Sequence, residues 1–228
     1  MASATPHHLE PRREAVVVGD QVEVLIKSRE RVKAHGEVFT PAHMVNQMLD
    51  LVKPELETGP DFIGKTFFEP AAGDGNFLIA ILRRKLTALE IRRPAATWPF
   101  ESLFALASIY GVEILQDNHA AAQSALLGEF VDFHKRHGNP CGRRTNLFQA
   151  ANFIVRSNII QGDTLTGLDA NGKPIVFSWW NRVPGDFSTV QREDFSLSSL
   201  QNTAEGTLSF DFFPAYAPTR IDHVHKEA

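Results

Sequence analysis

Residues 67–78, FFEPAAGDGNFL, limit the fold of this chain more than any other stretch. Two aromatic residues run into Glu69-Pro70. Two alanines follow, and Gly73-Asp74-Gly75 leads to an apolar restart at Phe77. The order is that of a strand, a tight turn and a helix start. Glycine opens backbone conformations closed to other residues and lets a ligand approach the main chain. The text on either side continues the alternation. Residues 65–69 read as a buried strand, 76–90 as a helix and 101–108 as a short helix. A second strand is expected at 109–114, then a helix over 118–136 capped by Asp117. A third strand, 157–162, ends at Asp163, and a fourth is expected at 174–180. Strands alternating with helices predict an α/β fold with a mostly parallel sheet flanked by helices.

The remaining segments are less regular. Residues 1–20 read as a disordered tail, 21–215 as the folded domain and 216–228 as a C-terminal tail. A strand or a helix fits 17–33, and a helix is the preferred reading for 21–33. Thr40 is placed to cap a helix over 41–53, with Pro41 in its first turn. Residues 91–100 and 137–150 read as loops. Beyond 185 no helix is evident, and Phe187, Phe195, Phe210, Phe212 and Phe213 are available to complete a sheet edge.

Composition narrows the function classes. Hydrophobic residues make up 43% of the 228, enough for a packed core. A net charge of −4, from 23 basic and 27 acidic residues, argues against a strongly basic nucleic-acid binder but permits a local basic face. One cysteine, Cys141, cannot form an internal disulfide, so a reducing cytoplasmic setting is expected. No apolar run approaches the ~20 residues of a membrane span, and no membrane partner is expected. The first residues lack the apolar core of a secretory signal.

The glycine turn does not match the dinucleotide pattern G-x-G-x-x-G, because Leu78 stands three after Gly75. A pyrophosphate also prefers helix-end amides with no anion nearby, whereas Glu69 and Asp74 flank this turn. Carboxylates there suit a cationic ligand. S-adenosylmethionine carries an ammonium and a sulfonium and no phosphate. Two further acids agree. Glu113 ends the second strand in YGVEI, where a carboxylate can accept ribose hydroxyls. Asp163 ends the third in IIQGD, where a carboxylate can accept a hydrogen bond from an adenine amino group. Each acid alone also fits a solvated strand end; their succession with the glycine turn is what points to a ligand.

With these residues on the page, the chain resembles the S-adenosylmethionine-dependent DNA adenine-N6 methyltransferases of bacteria and their phages. GEVFTPAHMVNQMLDLV is similar to that family's N-terminal cofactor motif and EPAAGDGNFL to its glycine motif. IYGVEI and NIIQGD resemble the next two motifs in order, so the likeness covers residues 31–166. It implies a Rossmann-like class I methyltransferase fold in a shortened form, with S-adenosylmethionine as cofactor and DNA as partner. It implies that Phe39 and Thr40 lie at the methionine end and that Glu69, Gly73 and Gly75 cradle the amino-acid moiety. Pro70, Ala71, Asp74, Asn76 and Phe77 belong to the same motif. Glu113, with Ile114 beside it, would bind ribose; Asp163, with Thr164, would bind adenine.

The family's catalytic motif, Asp/Asn/Ser-Pro-Pro-aromatic at the end of a fourth strand, has no full counterpart. Its acceptor groups bind the adenine amine, and its aromatic ring stacks on a base flipped from the helix. The chain contains no Pro-Pro. The positional match is FSWWN, with Ser178 and Asn181 as acceptors and Trp179 and Trp180 as aromatic planes. The alternative for this stretch is a buried strand with tryptophans in the core. Residues 182–228 are too few for a separate target-recognition domain, so a second subunit is an expected partner. Arg83, Arg84, Arg92, Arg93, Arg143 and Arg144 are candidates for phosphate contact, or plain solvated surface. The stretch HVH at 223–225 and the pair His7-His8 make no metal set, and Cys141 has no base beside it. A non-catalytic binding module and methylation of RNA or protein stay open, because donor motifs say nothing of the acceptor.

Overall fold

The computed structural model describes residues 14–18, 21–197 and 213–226. It opens with a hairpin of β1 (Glu14–Val18) and β2 (Gln21–Ile26), antiparallel to each other, followed by α1 (Arg29–His35). This corrects two expectations, a tail to residue 20 and a helix over 21–33. The runs EAVVV and QVEVLI are β-branched and alternating, which favours extended chain. The helix starts only at Ser28, whose side chain accepts the Arg31 N–H. Helix α2 (Ala42–Asp50) has Pro41 at its cap position and no side-chain cap, so Thr40 does not take the role expected of it. A π-helical turn, Pro54–Thr58, follows.

The central sheet comes next. β3 (Phe67–Glu69), α3 (Asn76–Arg92), α4 (Trp98–Ala107), β4 (Ile109–Glu113), α5 (Gln116–Arg136), α6 (Asn146–Asn158), β5 (Ile159–Asp163) and β6 (Leu168–Asp169) follow one another. β3, β4 and β5 pair in parallel in that order, and β6 runs antiparallel at the edge. The architecture is therefore mixed α/β, a mostly parallel sheet with helices against it.

The helices follow from their apolar spacing. Leu78, Leu82, Leu86 and Leu89 form one buried face of α3. Each such leucine contributes about 1.5–3 kcal/mol by burial. Lys85 shares that face and is 0% exposed. Its Nζ donates to Ile63 O at 2.9 Å, Lys65 O at 2.6 Å and Ser108 Oγ at 2.6 Å, tying α3 to the segments entering β3 and β4. Helix α6 falls partly in the stretch expected to be loop. Gly138, Pro140 and Gly142 conceal its start, yet Thr145 caps the Phe148 N–H, and Ala150, Ala151, Ile154 and Val155 are buried at helical spacing.

The fourth strand is the main correction. β7 (Val176–Arg182) does not extend the parallel sheet. It pairs antiparallel with β8 (Thr189–Ser196), which pairs with β9 (Thr219–Arg220). This second sheet packs on the first: Tyr110 Oη of β4 donates to Ser178 O at 2.9 Å, and Phe177 meets the rings of Phe68 and Tyr110 edge-on. The segment expected as a C-terminal tail is also packed. After β9 a 3₁₀ turn, Ile221–Lys226, buries Ile221 and Val224. Phe210 and Phe212, like His7-His8, lie outside the described residues. Among these, no helix is long and apolar enough to cross a membrane.

Candidate functional site

The glycine turn leaves the carboxyl end of β3 and is fixed by main-chain bonds. The Ala72 N–H donates to Val112 O at 2.9 Å, stitching the turn to β4. Gly73 has φ of +58° and Gly75 φ of +97°, both in the left-handed region. A Cβ on Gly73 would stand 3.3 Å from the Phe39 ring, and one on Gly75 3.0 Å from Ala122 Cα. The left-handed φ favours glycine at both positions, and the close neighbours leave little room for a Cβ. The neighbouring strand then locks the turn. The Glu113 carboxylate is 6% exposed; Oε2 accepts the Gly73 N–H at 2.7 Å and Oε1 the Leu115 N–H at 2.9 Å.

The end of α1 and the loop over residues 36–40 form the facing wall. The Phe39 N–H donates to Leu25 O at 2.9 Å, which anchors it to β2. Glu37 is held in place from two sides: Arg31 Nη2 donates to Oε1 at 2.7 Å and Asn118 Nδ2 donates to it at 2.6 Å. Burial alone would raise its pKa, but the hydrogen bonds from Arg31 and Asn118 hold it below the usual carboxylate value. Arg31 also pairs with Asp117, drawing the start of α5 to α1.

Between these walls lies a cavity of about 180 Å³. Glu37, Asp74 and Glu113 line it, and among the described residues no Lys or Arg does. Asp74 differs from the other two acids: its Oδ1 is buried with no hydrogen-bond partner among the described residues. Burial raises its pKa, a pull that Lys27 opposes. Val38 and Ile114 are exposed apolar side chains on the lining. Asp74, Glu113, Val38 and Ile114 thus give the lining carboxylate acceptors and an apolar surface. That set suits a cationic group more than an anionic one.

The fold brings Phe39, Thr40, Ala71, Gly73, Asp74, Asn76, Phe77, Glu113 and Ile114 to this cavity. Glu69, Pro70, Gly75, Asp163 and Thr164 do not line it. Glu69 turns to the Ala71 N–H at 3.1 Å, and burial raises its pKa. Gly75 lies behind the turn against Ala122. Thr164 Oγ1 donates to Pro70 O at 2.6 Å, holding the end of β5 against the turn. Asp163 Oδ1 accepts the Leu165 N–H at 2.8 Å within its own loop. Sequence reasoning missed Glu37 and Asn118. The one available signal was position: Glu37 follows Gly36 and precedes the run Val38-Phe39-Thr40-Pro41, and Asn118 stands in the first turn of α5.

FSWWN lies elsewhere, because β7 joined the second sheet. Ser178 is buried and its Oγ donates to Asp194 Oδ1 at 2.8 Å. Trp180 is buried and its Nε1 donates to Asn158 Oδ1 at 2.9 Å. Trp179, 40% exposed, and Asn181 line a separate cavity of about 350 Å³. Thr66, Ala107 and Ser108 share that lining, and they precede β3 and β4, at the amino ends of these strands. The expected catalytic group is therefore not assembled beside the glycine turn; its nearest structural role is in packing and in that second cavity.

Comparison of the chain with protein-family models, with curated proteins and with solved structures gives no match.

Proposed function

We propose that this chain is an S-adenosylmethionine-dependent methyltransferase acting on adenine in DNA, with a Rossmann-like class I methyltransferase fold. The bond from the Gly73 N–H to Glu113 carries the reading. It puts the glycine turn and the acid ending the next strand in one cavity, as a donor site on this scaffold needs. When bound, S-adenosylmethionine supplies an electrophilic methyl group on a positively charged sulfur. Asp74 offers its unpaired oxygen to the ammonium end. A carboxylate has about four acceptor positions, so Glu113 retains capacity for ribose hydroxyls after accepting two amides. Val38 and Ile114 offer apolar cover for the adenine ring. The lack of lysine and arginine on the lining favours a cation over a phosphate.

A second reading is favoured by one observation, the placement of Trp179 and Asn181 in another cavity. On that reading the chain binds the donor without catalysing transfer alone, and another subunit grips the base. Calorimetry separates the layers. Wild type binds S-adenosylmethionine and Glu113→Ala loses most of the affinity. No heat with wild type, or equal affinity in the variant, overturns the donor site. If binding holds, incubation with labelled cofactor and mixed-sequence DNA distinguishes the two readings: N6-methyladenine marks a self-sufficient enzyme, and its absence marks a donor-binding module.

A further inference from the structure

Arginines line a groove along α3 and another along α6, and the two grooves differ in how those arginines are used. One lies along α3 and includes Arg83, Arg84 and Arg92. Each is engaged: Arg83 pairs with Glu129, Arg84 with Asp50 and Glu57, and Arg92 donates to Thr58 O at 2.9 Å. Arg93, next in sequence, donates to Pro60 O at 3.5 Å. These guanidinium groups are occupied in holding the helix to the Pro54–Thr58 turn and to α5.

The other groove, about 660 Å³, runs along α6. Arg143, Gln149, Asn152, Phe153, Arg156 and His225 line it, and among the described residues no Asp or Glu does. Among the described residues no hydrogen bond or ion pair reaches Arg143 or Arg156. Gln149, Asn152 and Arg156 recur at three- and four-residue spacing, so they share one helix face. His225 adds a ring whose Nδ1 is buried without a partner among the described residues. In a chain of net charge −4, an acid-free groove with two uncommitted guanidinium groups is a local feature and not a result of overall basicity.

We infer that this groove takes the phosphate backbone of nucleic acid. Guanidinium and side-chain amide donors are the groups that position a protein on phosphates, and Phe153 gives the groove an aromatic surface beside them. The uncommitted charge sets the ligand's sign. The choice of nucleic acid over another polyanion rests on this donor set together with the proposed function. The contact is distinct from the donor cavity and shares no residue with it.

The test uses the full chain and a labelled DNA duplex of about 20 base pairs, with binding followed by anisotropy as salt is raised. Each phosphate contact adds about 0.9 to the magnitude of the slope of log affinity against log salt. Wild type binds the duplex, and Arg143→Ala with Arg156→Ala lowers that magnitude by about 2. Arg83→Ala with Arg92→Ala leaves it unchanged. Arg143→Lys with Arg156→Lys, which keeps both charges, retains the wild-type slope and guards against a folding artefact. No duplex binding by wild type, or equal slopes for wild type and the Arg143/Arg156 alanine pair, overturns the inference. So does equal affinity for polyglutamate, which would mark an acidic protein segment as the occupant. Calorimetry with S-adenosylmethionine is run on the same proteins. Absence of duplex binding by wild type with cofactor heat intact faults the groove alone, and absence of cofactor heat with duplex binding intact faults the donor site alone.

Discussion

FFEPAAGDGNFL and FSWWN, the stretches expected to bind the methyl donor and to meet the acceptor base, fold to opposite ends of the parallel strands. The first makes a turn at the carboxyl end of β3, and its partners, Phe39 and Glu113, close on it. The second enters an antiparallel sheet, buries Ser178 and Trp180, and leaves Trp179 and Asn181 near the amino ends. The contrast lies in how each stretch is determined. The turn is specified locally, by two glycines in left-handed conformations and by main-chain bonds to the adjacent strand. The position of β7 is set by its pairing with β8, which no local signal in FSWWN records.

Four substitutions and a titration press on that contrast. Gly73→Val has the largest expected effect. It forces a β-branched residue into a left-handed φ and against the Phe39 ring. Donor binding should fall below detection in calorimetry, with a lower melting temperature; retained affinity would mean the turn is not the site. Glu113→Gln comes next. It points an amide donor at main-chain N–H groups, at a cost of about 1–3 kcal/mol. Cofactor affinity should fall by about 10- to 100-fold, as each 1.4 kcal/mol is tenfold.

The titration concerns the core away from both ends. His134 is fully buried, and burial pushes its pKa down to about 4, with a smaller contribution from His137. In the unfolded chain it titrates near 6.5. The unfolded state therefore binds the extra proton first. Stability is complete above about pH 6.5 and declines as pH falls through about 4, by about 3 kcal/mol in total. Denaturant unfolding across this range, with His134→Gln flattening the curve, checks it; an unchanged slope in the variant assigns the loss to other groups.

Trp180→Phe is a smaller test. It removes the bond to Asn158, worth about 1 kcal/mol, and lowers stability without changing cofactor affinity. Asn181→Ala has the smallest expected effect, less than about twofold on donor binding, since sites without shared partners act independently. A large loss with Asn181→Ala would join the two ends that the fold holds apart.

The sequence allowed much of the sheet to be read. β3, β4 and β5 fall within a few residues of expectation because short apolar runs bounded by turn residues mark buried strands. Gly73, Asp74 and Glu113 were legible because turn chemistry and strand-end acids are local. Helix α6 was obscured where Gly138 and Gly142 outweighed Thr145 as a signal. β1 and β2 were obscured by polar residues among valines. The wall at Glu37 was not legible, since its place depends on Arg31 and Asn118 from two other helices.

The most direct test is a map of where the donor binds. Two-dimensional NMR of the labelled chain, titrated with S-adenosylmethionine, reports both ends in one spectrum. The amides of Gly73, Gly75 and Ile114 should shift, while the indole N–H signals of Trp179 and Trp180 stay in place. Shifted indoles with static glycine amides, or no shift anywhere, would contradict a donor site at the glycine turn.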